Sequence, residues 1–250
     1  MKQDLPLHIV FSDTAKSMIS SAMGSGYLRG ECIIVDGIFH LGFLKNRNCA
    51  DLSAWFVERF QQPSRECFTP ALSKPHTCGI GGACDCIVWV DASNVAEYCN
   101  FLSWNYVSEY HDFRLIFVDQ LEKMERVEFI RRIEDIANNA ASSDELDVDG
   151  FHREWERLIR ENGEFRLFNH VRRIESYIES DFHQHLLGRI GHDWVPSSQV
   201  VAEILSDSIV SGREVPGDLF FYCLIDKFCD LKILERADDP DARMGMIRRV

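Results

Sequence analysis

The hydrophobic positions of the first 120 residues fall into short unbroken runs separated by longer amphipathic stretches. Four runs rich in β-branched residues each predict a buried strand: Leu7-His8-Ile9-Val10-Phe11, Cys32-Ile33-Ile34-Val35, Cys86-Ile87-Val88-Trp89-Val90 and Arg114-Leu115-Ile116-Phe117-Val118. After the first run, Ser12-Asp13-Thr14 and an Ala/Met/Ile segment to Met23 read as a capped helix, closed by Gly24-Ser25-Gly26. Asp91-Ala92-Ser93-Asn94 opens a second helix, running to about Ser108. Residues 51–61 form an amphipathic helix with Leu52, Trp55, Phe56 and Phe60 as its apolar side. Residues 62–84 are rich in Pro, Gly, Ser and Cys and predict a long loop. Strands that alternate with helices imply a parallel sheet covered on both faces.

Beyond Asp119 the period changes. Leu121, Met124, Val127, Ile130, Ile133 and Ile136 recur at helical spacing, and a polar acidic loop at 140–150 ends that helix. Phe151–Glu161 reads as a further helix stopped near Gly163. Residues 166–192 predict a short strand pair and then a helix around Ile178–Ile190. Val200–Val210 and Asp218–Cys229 predict two more helices, and Ile233-Leu234-Glu235 can pair with Met246-Ile247-Arg248 as a small hairpin. Two helices followed by a hairpin is the order of a winged-helix unit.

Composition limits what such a chain can do. With 250 residues and 46% hydrophobic content there is length and apolar surface for a real core, and neither disorder nor a coiled coil fits. The net charge is −13, and residues 1–120, 121–180, 181–196 and 197–250 are each acidic, at −4, −5, −1 and −3. A general nucleic-acid binder needs Lys and Arg to neutralise phosphate, so this distribution disfavours one. No apolar run approaches 18 residues and the first residues hold no signal-peptide core, so no membrane span is expected. Nine cysteines, an odd number without a leader, read as free thiols in the cytoplasm.

Ligands of open parallel sheets bind outside the carboxyl ends of the strands. Three of those ends are polar here: Ser12-Asp13-Thr14, Asp36-Gly37 and Asp91-Ala92-Ser93-Asn94. Two of them open helices, whose free N–H groups suit a phosphate or carboxylate. Glu97, one turn into its helix, would reach the same crevice, and Arg166 in Phe-Arg-Leu-Phe would close it as an anion clamp or make an interdomain ion pair. The same residue types are ordinary helix caps, so capping competes with binding at every one of these positions. Asp13 and Asp91 would repel a bare phosphate, which admits a nucleoside, a metal-bound phosphate or a cation equally. Ser12 at a strand–turn–helix junction lacks the glycines of a nucleophile elbow.

Neither phosphate-binding loops of the Walker type nor a dinucleotide fingerprint occurs. Cys67, His76, Cys78, Cys84 and Cys86 offer zinc-ligating types without the usual knuckle spacing, so zinc and free thiols both stay open. Glu145, Asp147, Asp149 and Glu156 follow calcium-loop spacing with Glu in the first position, and a plain inter-helix loop competes with that. His183 and His185, two apart, fall on different helix faces, while Trp104 and Trp155 read as core.

The segments LHIVFSDTAKS, CIVWVDASNVAEYCNFL, GEFRLFN, ESDFHQHLL and VPGDLFFYCLIDKFCDLKILE together resemble an uncharacterised bacterial family of paired domains of unknown function. The resemblance spans nearly the whole chain in order and implies an α/β domain followed by a helical domain. It supplies no activity. Two places depart from the family pattern: Asp36-Gly37-Ile38-Phe39-His40-Leu41-Gly42-Phe43 stands where the family has an Asp-Asp-Leu-Ser-x-Gly-Pro run, with only the Gly corresponding, and Lys232 stands where the family has Gly before Leu-Glu.

The expected architecture is therefore α/β: a Rossmann-like three-layer domain with about four parallel strands (1–120), a helical connector (121–165) and a mainly helical, winged-helix-like domain (166–250). The expected function is binding of a nucleotide-like or phosphorylated small molecule at the carboxyl edge of the sheet, with the cofactor and any reaction left open. The alternatives are a protein partner engaged through the helical half and a winged-helix regulator.

Overall fold

The computed structural model describes residues 5–35, 37–45, 49–60, 85–108, 112–138, 141–142, 145–237 and 245–250. Its elements in chain order begin with β1 (Leu7–Val10), α1 (Asp13–Gly24), β2 (Glu31–Ile34), α2 (Cys49–Phe60), β3 (Cys86–Asp91), α3 (Val95–Val107) and β4 (Arg114–Val118). Then follow α4 (Arg126–Asn138), β5 (Ala141–Ser142), α5 (Val148–Glu161), β6 (Phe165–Phe168), β7 (Ile174–Tyr177) and α6 (His183–Leu187). β8 (Val195–Pro196), α7 (Ser197–Ser211), α8 (Asp218–Asp230), β9 (Leu234–Arg236) and β10 (Met246–Arg249) complete the chain. The fold is mixed α/β and divides into two compact units, Met1–His40 with Thr69–Arg160 and Leu41–Phe68 with Glu161–Val250.

The first unit is built on a five-stranded sheet of order β2-β1-β3-β4-β5. The first four strands are parallel, and β5 pairs antiparallel with β4 at the edge. β3 is central and every one of its six residues is buried, as expected of a strand covered on both faces. On one face Ala15, Met18, Ile19 and Ala22 of α1 and Phe129 and Ile133 of α4 pack with Val10, Ile87, Trp89, Ile116 and Val118. On the other, Phe101 and Trp104 of α3 stand edge-on to Phe11 and Phe113, and Phe151 of α5 meets Phe101 with ring centres 5.0 Å apart. Gly30 precedes β2 at φ +132°, where a Cβ would collide with the Pro6 carbonyl, so a side chain here would push β2 away from β1.

His8 is buried in β1 with both ring nitrogens engaged. Its Nδ1 accepts from the Trp89 indole N–H at 3.0 Å, and its Nε2 lies 3.0 Å from the Arg29 carbonyl oxygen. An indole only donates and a carbonyl only accepts, which fixes the neutral tautomer with its proton on Nε2. Burial, with the charge of Arg114 adding to it, lowers the His8 pKa against the opposing pull of the Arg29 carbonyl.

The second unit gathers α2, the β6–β7 hairpin, three further helices and the sheet β8-β10-β9. Its core is aromatic: the ring centres of Phe165 and Phe220 are 4.9 Å apart, of Phe182 and Phe220 5.4 Å, and of Trp55 and Phe165 5.7 Å, all edge-to-face. Helix α8 ends in a Schellman turn. The Ile233 N–H donates to the Phe228 carbonyl and the Lys232 N–H to the Cys229 carbonyl, both at 2.9 Å. That turn puts Lys232 at φ +58°, a left-handed conformation that favours Gly.

Several boundaries differ from the sequence reading. Residues 121–160 are no connector: α4 covers one sheet face, and Phe129 and Ile133 are fully buried there. Helix α2 belongs to the second unit, where Leu52 and Trp55 join its core; amphipathic spacing shows that a helix has an apolar side but not which core receives it. The edge strand β5 falls in the segment read as loop, because two residues carry no period. The predicted helix at 178–190 is a 3-10 turn, Glu179–Phe182, leading into the short α6.

Two outcomes follow. Lys232→Gly relieves the left-handed strain and should stabilise the second unit by about 0.5–1 kcal/mol in chemical denaturation; a loss of stability would contradict the turn. The folded pKa of His8 lies below the unfolded value of 6.5, so its contribution is complete above that value and is lost as pH falls from 6.5 toward the folded pKa. In a histidine NMR titration, His8 should remain the Nε2–H tautomer at pH 6.5, and a half-charged ring at that pH would contradict the assignment.

Candidate functional site

From β1 the chain passes to β2 on one side, then returns to place β3 on the other side of β1. The direction of strand addition therefore reverses between β1 and β3, and at such a reversal the two following connections leave on opposite faces and open a crevice at the carboxyl ends. Ser12 follows β1 and caps α1, its Oγ accepting from the Ala15 N–H at 3.1 Å. Asn94 follows β3 and caps α3, its Oδ1 accepting from the N–H groups of Ala96 at 3.0 Å and Glu97 at 3.3 Å. Both are extended in backbone, as caps are.

Glu97 joins the two strand ends. It is 1% exposed; its Oε1 receives the Ser12 hydroxyl and its Oε2 the backbone N–H of Asp91 at 2.9 Å. Asp91 is equally buried and serves as a bracket. Its Oδ1 accepts from the Ser93 N–H at 2.8 Å, the Ser93 hydroxyl at 2.6 Å and the Gln120 N–H at 3.2 Å, and its Oδ2 accepts from the Leu121 N–H at 2.7 Å. The Ser93 hydroxyl also takes the Gln120 N–H at 3.0 Å. Asp91 and Ser93 thus tie the end of β3 to the turn after β4.

Asp13 and Thr14 are exposed on the first turn of α1. By helix geometry their N–H groups, and that of Val95 at the start of α3, have no intrahelical partner. Asn100, one turn beyond Glu97, is 2% exposed and donates through Nδ2 to the Phe11 carbonyl at 3.5 Å, while its Oδ1 has no hydrogen-bond partner. The Phe11 carbonyl demands a donor, which fixes the amide's orientation and leaves an acceptor buried at the carboxyl end of β1.

The structure therefore brings Ser12, Asp13, Thr14, Asp91, Ser93, Asn94 and Glu97 to one sheet edge. Asp36 lies outside the described residues. Arg166 lies in the second unit, in β6; it is fully buried and donates from Nη1 to the Gly163 carbonyl at 2.8 Å and from Nη2 to that of Gly42. Asn100 was missed, because a buried Asn in an apolar helix carries no local motif.

The metal-ligating alternatives fare as follows. Cys67, His76, Cys78 and Cys84 lie outside the described residues, and Cys86 is a buried residue of β3. Asp147 Oδ1 accepts from the Gly150 N–H at 2.8 Å, and Val148 onward is helix, so Asp149 and Glu156 sit along α5 rather than around a loop. Among the described residues no three His, Cys, Asp or Glu side chains are grouped to hold a metal ion.

Sequence reasoning also missed a charged cluster in the second unit. Arg59 of α2 donates from Nε to Glu164 at 3.0 Å and from Nη1 to Glu179 at 2.7 Å. Glu164 also accepts from the Trp55 indole at 3.2 Å and the Glu179 N–H at 2.7 Å, and Glu179 accepts from Lys227 at 2.6 Å. Burial works to raise the Glu179 pKa, but the bond from Lys227 and the charge of Arg59 prevail and hold it below the usual carboxylate value. Arg59 shifts the other way: burial opposes its charge, and Glu164 more than restores it. More than 100 residues separate Arg59 from its carboxylates, so no spacing pattern announces the cluster.

Comparison with protein-family models, with curated proteins and with solved structures returned no match. No helix among the described residues is long and apolar enough to cross a membrane.

Proposed function

We propose that the first unit is a Rossmann-like ligand-binding domain that holds a nucleotide-like or phosphorylated small molecule at the carboxyl edge of its parallel sheet. The observation that carries this reading is the convergence of two helix N-termini, at Ser12 and Asn94, on the strand reversal between β1 and β3. The free N–H groups of the first turn of α1 would take the anionic part of the ligand. Glu97 serves the site by holding Ser12 and the end of β3 together, and Asn100 Oδ1 supplies an acceptor for a ligand hydroxyl or amino group, which suits a nucleotide better than free phosphate. Asp91 and Ser93 serve this site by holding its floor, since their polar atoms already bind the turn after β4.

A second reading rests on the other unit. Its order β8-α7-α8-β9-β10, with β10 between β8 and β9, supports a winged-helix reading in which α8 would be the recognition helix. That helix carries Asp218, Asp226 and Asp230 against Lys227 alone, a charge suited to a protein partner and opposed to DNA. Ile209 and Val210, 81% and 85% exposed at the end of α7, add apolar surface to such a contact.

Thr14→Asp separates binding from folding. A carboxylate on the first turn of α1 favours the helix by roughly 0.3–1 kcal/mol but repels a phosphate. Titration calorimetry with adenosine monophosphate should show affinity in the wild type that falls at least about tenfold in the variant, about 1.4 kcal/mol, with the melting temperature kept. Unchanged affinity in Thr14→Asp, or no binding by the wild type, would overturn the reading.

A further inference from the structure

The charged cluster of the second unit lies beneath a cavity of about 210 Å³, lined by Glu58, Arg59, Glu179, Phe220, Lys227 and Asp230 among others. From this cavity we infer a second binding site, independent of the sheet-edge crevice, for a small zwitterion of the α-amino-acid type.

The buried part of the cluster is closed on itself. Glu164, 3% exposed in its side chain, and Glu179, 11% exposed, together balance Arg59 and Lys227. Arg59, Glu164 and Glu179 are held largely out of water, where attraction offsets the cost only if geometry is well met, and Lys227, 44% exposed in its side chain, carries the network to the surface. At that edge the network presents the Lys227 ammonium to the cavity. Lys227 has three N–H groups and one carboxylate partner, Glu179. An anionic group entering the cavity would take the place of water on the other two N–H groups of Lys227.

Opposite charge stands at the same cavity. Glu58 is 69% exposed in its side chain and meets Arg59 Nη1 at 3.4 Å. Asp230 ends α8, where the helix dipole makes a carboxylate unfavourable, and it makes no ion pair among the described residues. Counting Glu164, the cluster and cavity carry four carboxylates against two cations, so a ligand bearing only negative charge is disfavoured. An ammonium would answer Glu58 and Asp230, and a carboxylate would answer Lys227. The buried Phe220 gives an apolar surface for a short side chain. The volume is below the about 300–1,000 Å³ of pockets for drug-sized ligands, which limits the occupant to a small metabolite.

Cys223 also lines this cavity and reports on it. In the full chain, the rate of Cys223 alkylation by iodoacetamide would be followed by peptide mass spectrometry with L-alanine, propylamine or propionate added. The expected result is at least tenfold slowing by L-alanine and less than twofold by either singly charged analogue. Asp230→Asn removes a charge that the dipole disfavours, so it should fold normally; it should abolish the protection by L-alanine. Equal protection by propionate, no protection by L-alanine, or full protection in a folded Asp230→Asn would each overturn the proposal.

Discussion

Two carboxylates buried at the end of the central strand organise the first unit. Asp91 and Glu97 are each 1% exposed, a placement tolerated because their oxygens collect backbone N–H and hydroxyl donors rather than remaining open. Asp91 fixes the turn after β4, and Glu97 receives the Asp91 N–H and the Ser12 hydroxyl. The positions of both helix N-termini depend on this link. Removing Glu97 would leave the Asp91 N–H and the Ser12 hydroxyl without this acceptor, and removing Asp91 would strand the Leu121 N–H, at about 1–3 kcal/mol for each buried group.

The second unit solves a related problem with full charges. Its aromatic core of Phe165, Phe182, Phe220 and Phe221 leaves no place for Arg59 and its carboxylates except at the rim, where they pair with one another. The same pairing sets the lining of a cavity that bears both signs of charge. In both units a polar arrangement buried against an apolar core decides where chemistry can sit.

Much of the first unit was legible because its information is local. Continuous apolar runs identified β1, β3 and β4, and the cap residues Ser12 and Asn94 marked where two helices begin. Glu97 was legible as a residue one turn from a strand end. Asp91 was legible as a site residue, but that its oxygens would be taken up by the turn after β4 depends on contacts about 30 residues away. Arg166 illustrates the same limit: its sequence neighbourhood suggested an anion clamp, and its donors serve the Gly163 and Gly42 carbonyls. The assignment of α2 to the second unit, the short β5 and the Arg59 cluster were not legible, since each is set by long-range packing that leaves no periodic trace.

The central claim is that the crevice between β1 and β3 receives a ligand at the starts of two helices. Residue-resolved amide hydrogen exchange with and without adenosine monophosphate tests it most directly. The account predicts slowed exchange at the N–H groups of Asp13, Thr14 and Val95, which have no intrahelical partner to protect them. Exchange unchanged at all three, or slowed only in the second unit, would contradict it.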